Sequence, residues 1–168
     1  MVSAQPGVHW EPHWEPSEHG MCNPCSVISV AEAVSRLDDV AQRPVVALLA
    51  ETFAAAGFEL ALVGGPVRDA FLGRTVDDLD FTTNARPAQI LALVAPLAST
   101  TWDVGRDFGT IAAQVRGERV EITTYRADAY DGETRKPIVA FGDSLDDDLH
   151  RRDFTVNSMA LRVPSRTL

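Results

Sequence analysis

Lysine is nearly missing from this chain: of its 15 basic residues, only Lys136 is not an arginine. Against 24 acidic residues this leaves a formal net charge of −9 over 168 residues. This argues against a broad surface for phosphate backbones, because such contacts require a basic patch. If the protein handles a nucleic acid, a few arginines do the local work or the main grip lies elsewhere. No apolar run approaches the ~20 residues of a membrane span. The N-terminus also lacks the basic and apolar regions of a secretory leader, so the expectation is a cytoplasmic protein without a membrane partner. Cysteine is limited to Cys22 and Cys25, with His9, His13 and His19 just upstream. A zinc site needs four well-placed ligands, and one Cys-x-x-Cys beside loosely spaced histidines is a weak signal for it.

Residues 1–26 hold Pro6, Pro12, Pro16 and Pro24, a density that blocks helices and sheet ladders. They are read as a disordered tail, and residues 27–168 as one domain with a core of moderate size. From Val27 to Gly57 apolar residues recur at helical spacing, with Pro44 suited to a first turn and Gly57 to a C-terminal cap. Leu60–Val63 reads as a buried strand, and Val67–Leu72 as a short helix stopped by Gly73. Asp77–Thr82 reads as a strand, and Pro87 opens a helix to about Ala98. Two alternating runs, Thr110–Arg116 and Arg119–Tyr125, form a hairpin around Gly117-Glu118. Residues 127–142 read as a mobile polar loop. Ser144 with Asp147 makes a capping box for a helix through about Arg151, and Phe154–Leu161 is apolar enough to pack beneath it. The order predicts a mixed α/β (α+β) domain, a small sheet flanked by helices.

Three stretches carry chemistry. In Gly64-Gly65-Pro66-Val67-Arg68-Asp69, a glycine pair after a buried strand lets backbone approach a ligand closely. The following N–H groups favour an anion, and Arg68 can add a charge on a phosphate. The alternative is a plain tight turn with a solvated arginine. Neither a Walker P-loop nor a dinucleotide fingerprint is present. In Asp78-Leu79-Asp80 the two carboxylates share one face of a strand. Each raises the other's cost of ionisation, and a divalent cation such as Mg²⁺ removes that cost. The alternative is a polar strand end in an acidic protein. In Arg151-Arg152-Asp153-Phe154-Thr155-Val156-Asn157, Arg152 could reach a triphosphate, and Asp153 and Asn157 a ribose hydroxyl. The alternative is a helix C-terminus favoured by arginines.

Together with Leu72-Gly73-Arg74, Phe108-Gly109-Thr110, Glu121-Ile122-Thr123-Thr124-Tyr125-Arg126 and Ser144-Leu145-Asp146-Asp147-Asp148-Leu149, these stretches closely resemble the head domain of class II tRNA nucleotidyltransferases and bacterial poly(A) polymerases. The resemblance covers about residues 44–163, with its stretches in the family's order. It implies a polymerase-β-like nucleotidyltransferase head that adds CTP- and ATP-derived nucleotides to the 3′ end of tRNA. It implies two Mg²⁺ ions on Asp78 and Asp80, with Glu121 as a third catalytic carboxylate. It further implies nucleotide contacts from Gly64, Gly65, Arg68, Arg152, Asp153 and Asn157. Pro66 stands where the family usually has a small residue, and proline is tolerated in a first helical turn. The family's base-choosing Glu-Asp-x-x-Arg motif lies on a later neck domain, and tRNA is gripped by a body and tail. Neither precedes Leu168, so a head alone is expected. A poly(A) polymerase head and an inactive nucleotide-binding module are the competing expectations.

Overall fold

The computed structural model describes residues 28–103, 105–129 and 138–168. The tail expected over residues 1–26, with Cys22, Cys25 and the upstream histidines, lies outside the described residues.

The first helical stretch is two helices, α1 (Val30–Ala41) and α2 (Pro44–Ala55). The Ser29 hydroxyl accepts the Glu32 N–H at 3.1 Å and caps α1. Pro44 sits in the first turn of α2, where its missing N–H costs nothing. Strand β1 (Leu60–Val63) leads through Gly64 into α3 (Gly65–Phe71). Next come β2 (Leu79–Thr83), α4 (Pro87–Val94) and β3 (Ala98–Trp102). The expected hairpin is β4 (Thr110–Val115) and β5 (Glu118–Thr124). A two-stranded ribbon, β6 (Arg126–Ala129) with β7 (Ile138–Phe141), precedes α5 (Leu145–His150) and the edge strand β8 (Ala160–Val163).

The main sheet has six strands in the order β3-β4-β5-β2-β1-β8. It is mixed: β2 runs parallel to β5, and the other neighbours are antiparallel. One face lies under α1, α2 and α4. There Leu60, Leu62, Leu79, Phe81, Ile111 and Ile122 meet Leu37, Leu49, Phe53 and Ile90 in one buried core. Each such side chain contributes about 1.5–3 kcal/mol of transfer free energy. Strand alternation turns the intervening residues to the opposite face. Near β1 that face is closed by a smaller cluster of Ala61, Val63, Tyr125, Leu145 and Ala160. Further along, from β2 to β3, it carries the polar residues described next.

Three expectations require correction. The helix from Pro87 stops at Val94, and Ala98 already belongs to β3. The sequence there, Ala98-Ser99-Thr100-Thr101-Trp102, lacks apolar alternation because it is an edge strand with mostly exposed side chains. The ends of the expected 127–142 loop pair with each other as β6 and β7. Phe154 and Val156 do not pack beneath α5: they are 78% and 45% exposed, in a short 3₁₀ turn. The burial expected of that segment falls instead to Ala160, Leu161 and Val163, because β8 pairs with β1 along its whole length.

Candidate functional site

The site grows from the last residue before β2 and the outward face of the strands beside it. Asp78 lies just before the strand, and Asp80 within it. Asp80 is the register partner of Glu121 on parallel β5, and cross-strand partners point to the same face. Asp78, Asp80, Arg119 and Glu121 accordingly line one open cleft of ≈ 300 Å³. Burial pushes the Asp80 carboxyl above its ordinary value, and the charges of Glu121 and Asp78 push it further. Arg152 and Arg119 oppose that shift without cancelling it. The cleft is short of positive charge, which is what a divalent cation supplies. Among the described residues no group of three acidic, histidine or cysteine side chains stands close enough to hold a metal on its own.

Beside the acids, Gly64 takes φ +69° and ψ −118°, a conformation reserved for glycine. Its N–H donates to the Met159 carbonyl at 3.2 Å, tying the turn to the start of β8. A Cβ on Gly65 would stand 3.8 Å from Arg68 Nη2 and 3.9 Å from Asp80 Oδ2, so turn, arginine and carboxylate converge there. Arg68 donates to both oxygens of Asp69, at 3.0 and 3.1 Å, and to Asn157 Oδ1 at 3.0 Å. Two residues expected to touch a nucleotide separately are thus bonded to each other, joining α3 to the 3₁₀ turn.

Arg152 is held by a residue that sequence reasoning passed over. The fully buried Asp148 carboxylate accepts from Arg152 Nη2 and from Arg151 Nη2, each at 2.7 Å. It also accepts from the Arg126 N–H at 3.0 Å and the Thr82 hydroxyl at 3.2 Å. Burial works against its charge, but the hydrogen bonds and charge of Arg152, then Arg151 and the Arg126 N–H, outweigh that and hold the carboxyl below its ordinary range. The signal was available in the sequence. Leu145, Asp148 and Leu149 fall at i, i+3 and i+4, so Asp148 shares the inward face of α5 with two leucines. Arg119 was passed over too, although it stands two residues before Glu121 on the same strand face and pairs with it at 2.7 Å.

Of the expected residues, the structure brings Asp78, Asp80 and Glu121 together in one cleft, and Gly64, Gly65, Arg68 and Asn157 at its border. Arg152 is near enough for its charge to act on Asp80. Asp153 is exposed and makes no hydrogen bond or ion pair with another described residue.

A six-stranded mixed sheet with this acidic cleft beside a glycine turn defines a polymerase-β-like nucleotidyltransferase head. Residues 60–168 match the family described as the Poly A polymerase head domain, and the chain belongs to that family. Within it, the chain is 41% identical over 129 residues to a CCA-adding enzyme of Lactobacillus helveticus (strain DPC 4571), covering 76% of this chain and 31% of that protein. It is 40% identical over 126 residues to a CCA-adding enzyme of Bacillus subtilis (strain 168), covering 74% and 30%. Among solved structures it is similar to the Bacillus stearothermophilus CCA-adding enzyme in complex with CTP: 36% identity, TM-score 0.58, 68% of this chain and 26% of that one. An apo form II structure of a CCA-adding enzyme superposes with TM-score 0.67 at 27% identity over 79% of this chain and 32% of that one. The chain therefore spans about a third of the length of the relatives it matches. Among the described residues no helix is long and apolar enough to cross a membrane.

Proposed function

We propose that this chain is the catalytic head of a CCA-adding tRNA nucleotidyltransferase, transferring nucleotides from CTP and ATP to a tRNA 3′ end in the cytoplasm. The observation that carries the reading is the convergence of Asp78, Asp80 and Glu121 in one cleft at the border of the Gly64-Gly65 turn. Asp78 and Asp80 would hold Mg²⁺, two ions in this reading. When bound, the metal neutralises the triphosphate and lowers the pKa of the attacking hydroxyl.

The chain's own residues do the rest by positioning and by fixed charge. The Gly64-Gly65 backbone, free of side chains, lets the triphosphate lie close to Asp80. Arg152, oriented by Asp148, places a guanidinium beside it, and Arg68 braces the turn against Asn157. Gly64, Gly65, Arg68, Arg152, Asp153 and Asn157 make up the nucleotide-binding set in this reading, with Asp153 the member that substrate would have to recruit. In the transfer, the acceptor's 3′-oxygen bonds to the α-phosphorus, pyrophosphate leaves, and the hydroxyl proton passes to solvent. The relatives above are named CCA-adding enzymes, which favours CCA addition over poly(A) addition by the same site chemistry.

The test is incorporation of labelled CTP and ATP into a tRNA lacking its 3′ CCA, with Mg²⁺, alongside the same chain carrying Asp80→Asn. Metal-dependent incorporation or pyrophosphate release that the substitution abolishes supports the reading. Intact Mg²⁺–ATP binding by Asp80→Asn removes its basis.

A further inference from the structure

One row of the main sheet runs straight out from the acidic cleft. Asp80 pairs with Glu121, Glu121 with Ala112, and Ala112 with Trp102. All four therefore face the same side. Adjacent strands are about 4.8 Å apart, which puts Trp102 roughly 10 Å from Glu121 and roughly 14 Å from Asp80. The small Ala112 between them leaves a depression. A second cleft of ≈ 500 Å³ opens there, lined by Trp102, Gly105, Thr110, Ala112, Arg119 and Glu121. Arg119 and Glu121 line both clefts, so the two adjoin. Trp102 is 42% exposed. A lone exposed tryptophan is unremarkable in itself. One at the end of a groove that starts at paired carboxylates, with an arginine between, has the two parts a single strand needs, a ring for a base and a cation for a phosphate.

Direction decides the occupant. The glycine turn and Arg152 lie on the β1 and α5 side of Asp80, whereas the Trp102 cleft lies on the opposite side, towards β4 and β3. In-line transfer needs the attacking and leaving oxygens on opposite sides of the phosphorus. We propose that the Trp102 cleft seats the unpaired 3′-terminal segment of the acceptor RNA, one base stacked on Trp102 and a phosphate beside Arg119, so that the 3′-hydroxyl points at Asp78 and Asp80. The proposal rests on the transfer reading above. It also gives a chain of net charge −9 a local hold on RNA without a basic surface.

The test uses the 168-residue chain and two separate titrations. One follows anisotropy of a short labelled single-stranded RNA with a free 3′-hydroxyl, and the other follows a fluorescent ATP analogue with Mg²⁺. Stacking on an aromatic side chain contributes about 1–3 kcal/mol per base, so Trp102→Ala should weaken RNA binding about 5- to 150-fold and leave ATP binding within about twofold. Trp102→Phe keeps a ring and should retain most of the RNA affinity, which separates stacking from loss of fold. Arg119→Gln should lower the salt slope of RNA binding by about one. The proposal is overturned if the wild-type chain does not bind the RNA. It is equally overturned if Trp102→Ala binds RNA as tightly as wild type, or if that substitution weakens ATP instead, which would make this the incoming base's site. If RNA binding depends on Trp102 while the chain binds no Mg²⁺–ATP at all, the cleft stands as an RNA site and the transfer reading falls.

Discussion

Replacing Asp148 by asparagine keeps the shape of the side chain and removes one charge from a site with no exposure to water. The carboxylate now accepts from two guanidinium groups, one backbone N–H and one hydroxyl. The amide of asparagine has a single acceptor oxygen, and its NH₂ must face a donor, so one of the two arginines loses its partner. Removing one member of a buried ion pair costs about 3–5 kcal/mol. The side chains of Arg151 and Arg152 are 19% and 22% exposed, so water compensates in part and the lower end, about 3 kcal/mol, is expected. For a domain of this size that corresponds to a melting temperature lower by roughly 10 °C.

The pH dependence follows from the direction of the shift. Asp148 is held below its ordinary range in the fold, so its contribution is fully present above the unfolded value of about 3.9 and is lost as pH falls through the folded value. The gap between wild type and Asp148→Asn should therefore be constant from neutrality to about pH 5 and close in stronger acid. Urea denaturation across that range measures it. A loss below about 1 kcal/mol at pH 7, or a gap that persists in acid, would refute the account of Asp148 as the anchor of both arginines. Binding of Mg²⁺–ATP should weaken in the same variant, because Arg152 loses its orientation.

Three further outcomes are expected. Asp80→Asn relieves repulsion among Asp78, Asp80 and Glu121, so its metal-free melting temperature should equal or exceed that of wild type while the stabilisation by Mg²⁺–ATP disappears; a fall of several degrees would mark Asp80 as structural. Gly64→Ala places a Cβ without a clash, in ordinary van der Waals contact with the Asn157 carbonyl at 3.9 Å, yet forces alanine into a glycine conformation. It should cost about 1–3 kcal/mol from backbone strain alone, read by thermal unfolding. Arg68→Ala cuts the link to Asn157 and should weaken ATP binding more than AMP binding by isothermal titration; equal weakening would leave Arg68 no role towards the phosphates.

Much of the fold was legible because the relevant signals are local. Pro44, Gly57 and the alternation from Thr110 to Thr124 mark element ends and strand faces through backbone chemistry that each segment carries with it. Edge strands were harder to see. β3 and β8 owe their existence to pairing with β4 and β1, and an edge strand needs no alternating pattern of its own. Phe154 stays exposed despite its apolar side chain, at a residue with φ +63°.

The same division runs through the site. By itself the sequence determined the paired acids and the glycine turn, because two carboxylates one residue apart and two adjacent glycines restrict their chemistry wherever they occur. Only the tertiary structure decided that Glu121 stands beside Asp80, that Asn157 holds Arg68, and that Trp102 shares a sheet row with the acids. Those neighbours are 41, 89 and 22 residues apart in sequence, and strand register, not local preference, brings Glu121 and Trp102 onto the Asp80 row. Asp148 lies between the two cases: its spacing from Leu145 and Leu149 turns it inward, but which cations it meets there is settled by how α5 packs across the sheet.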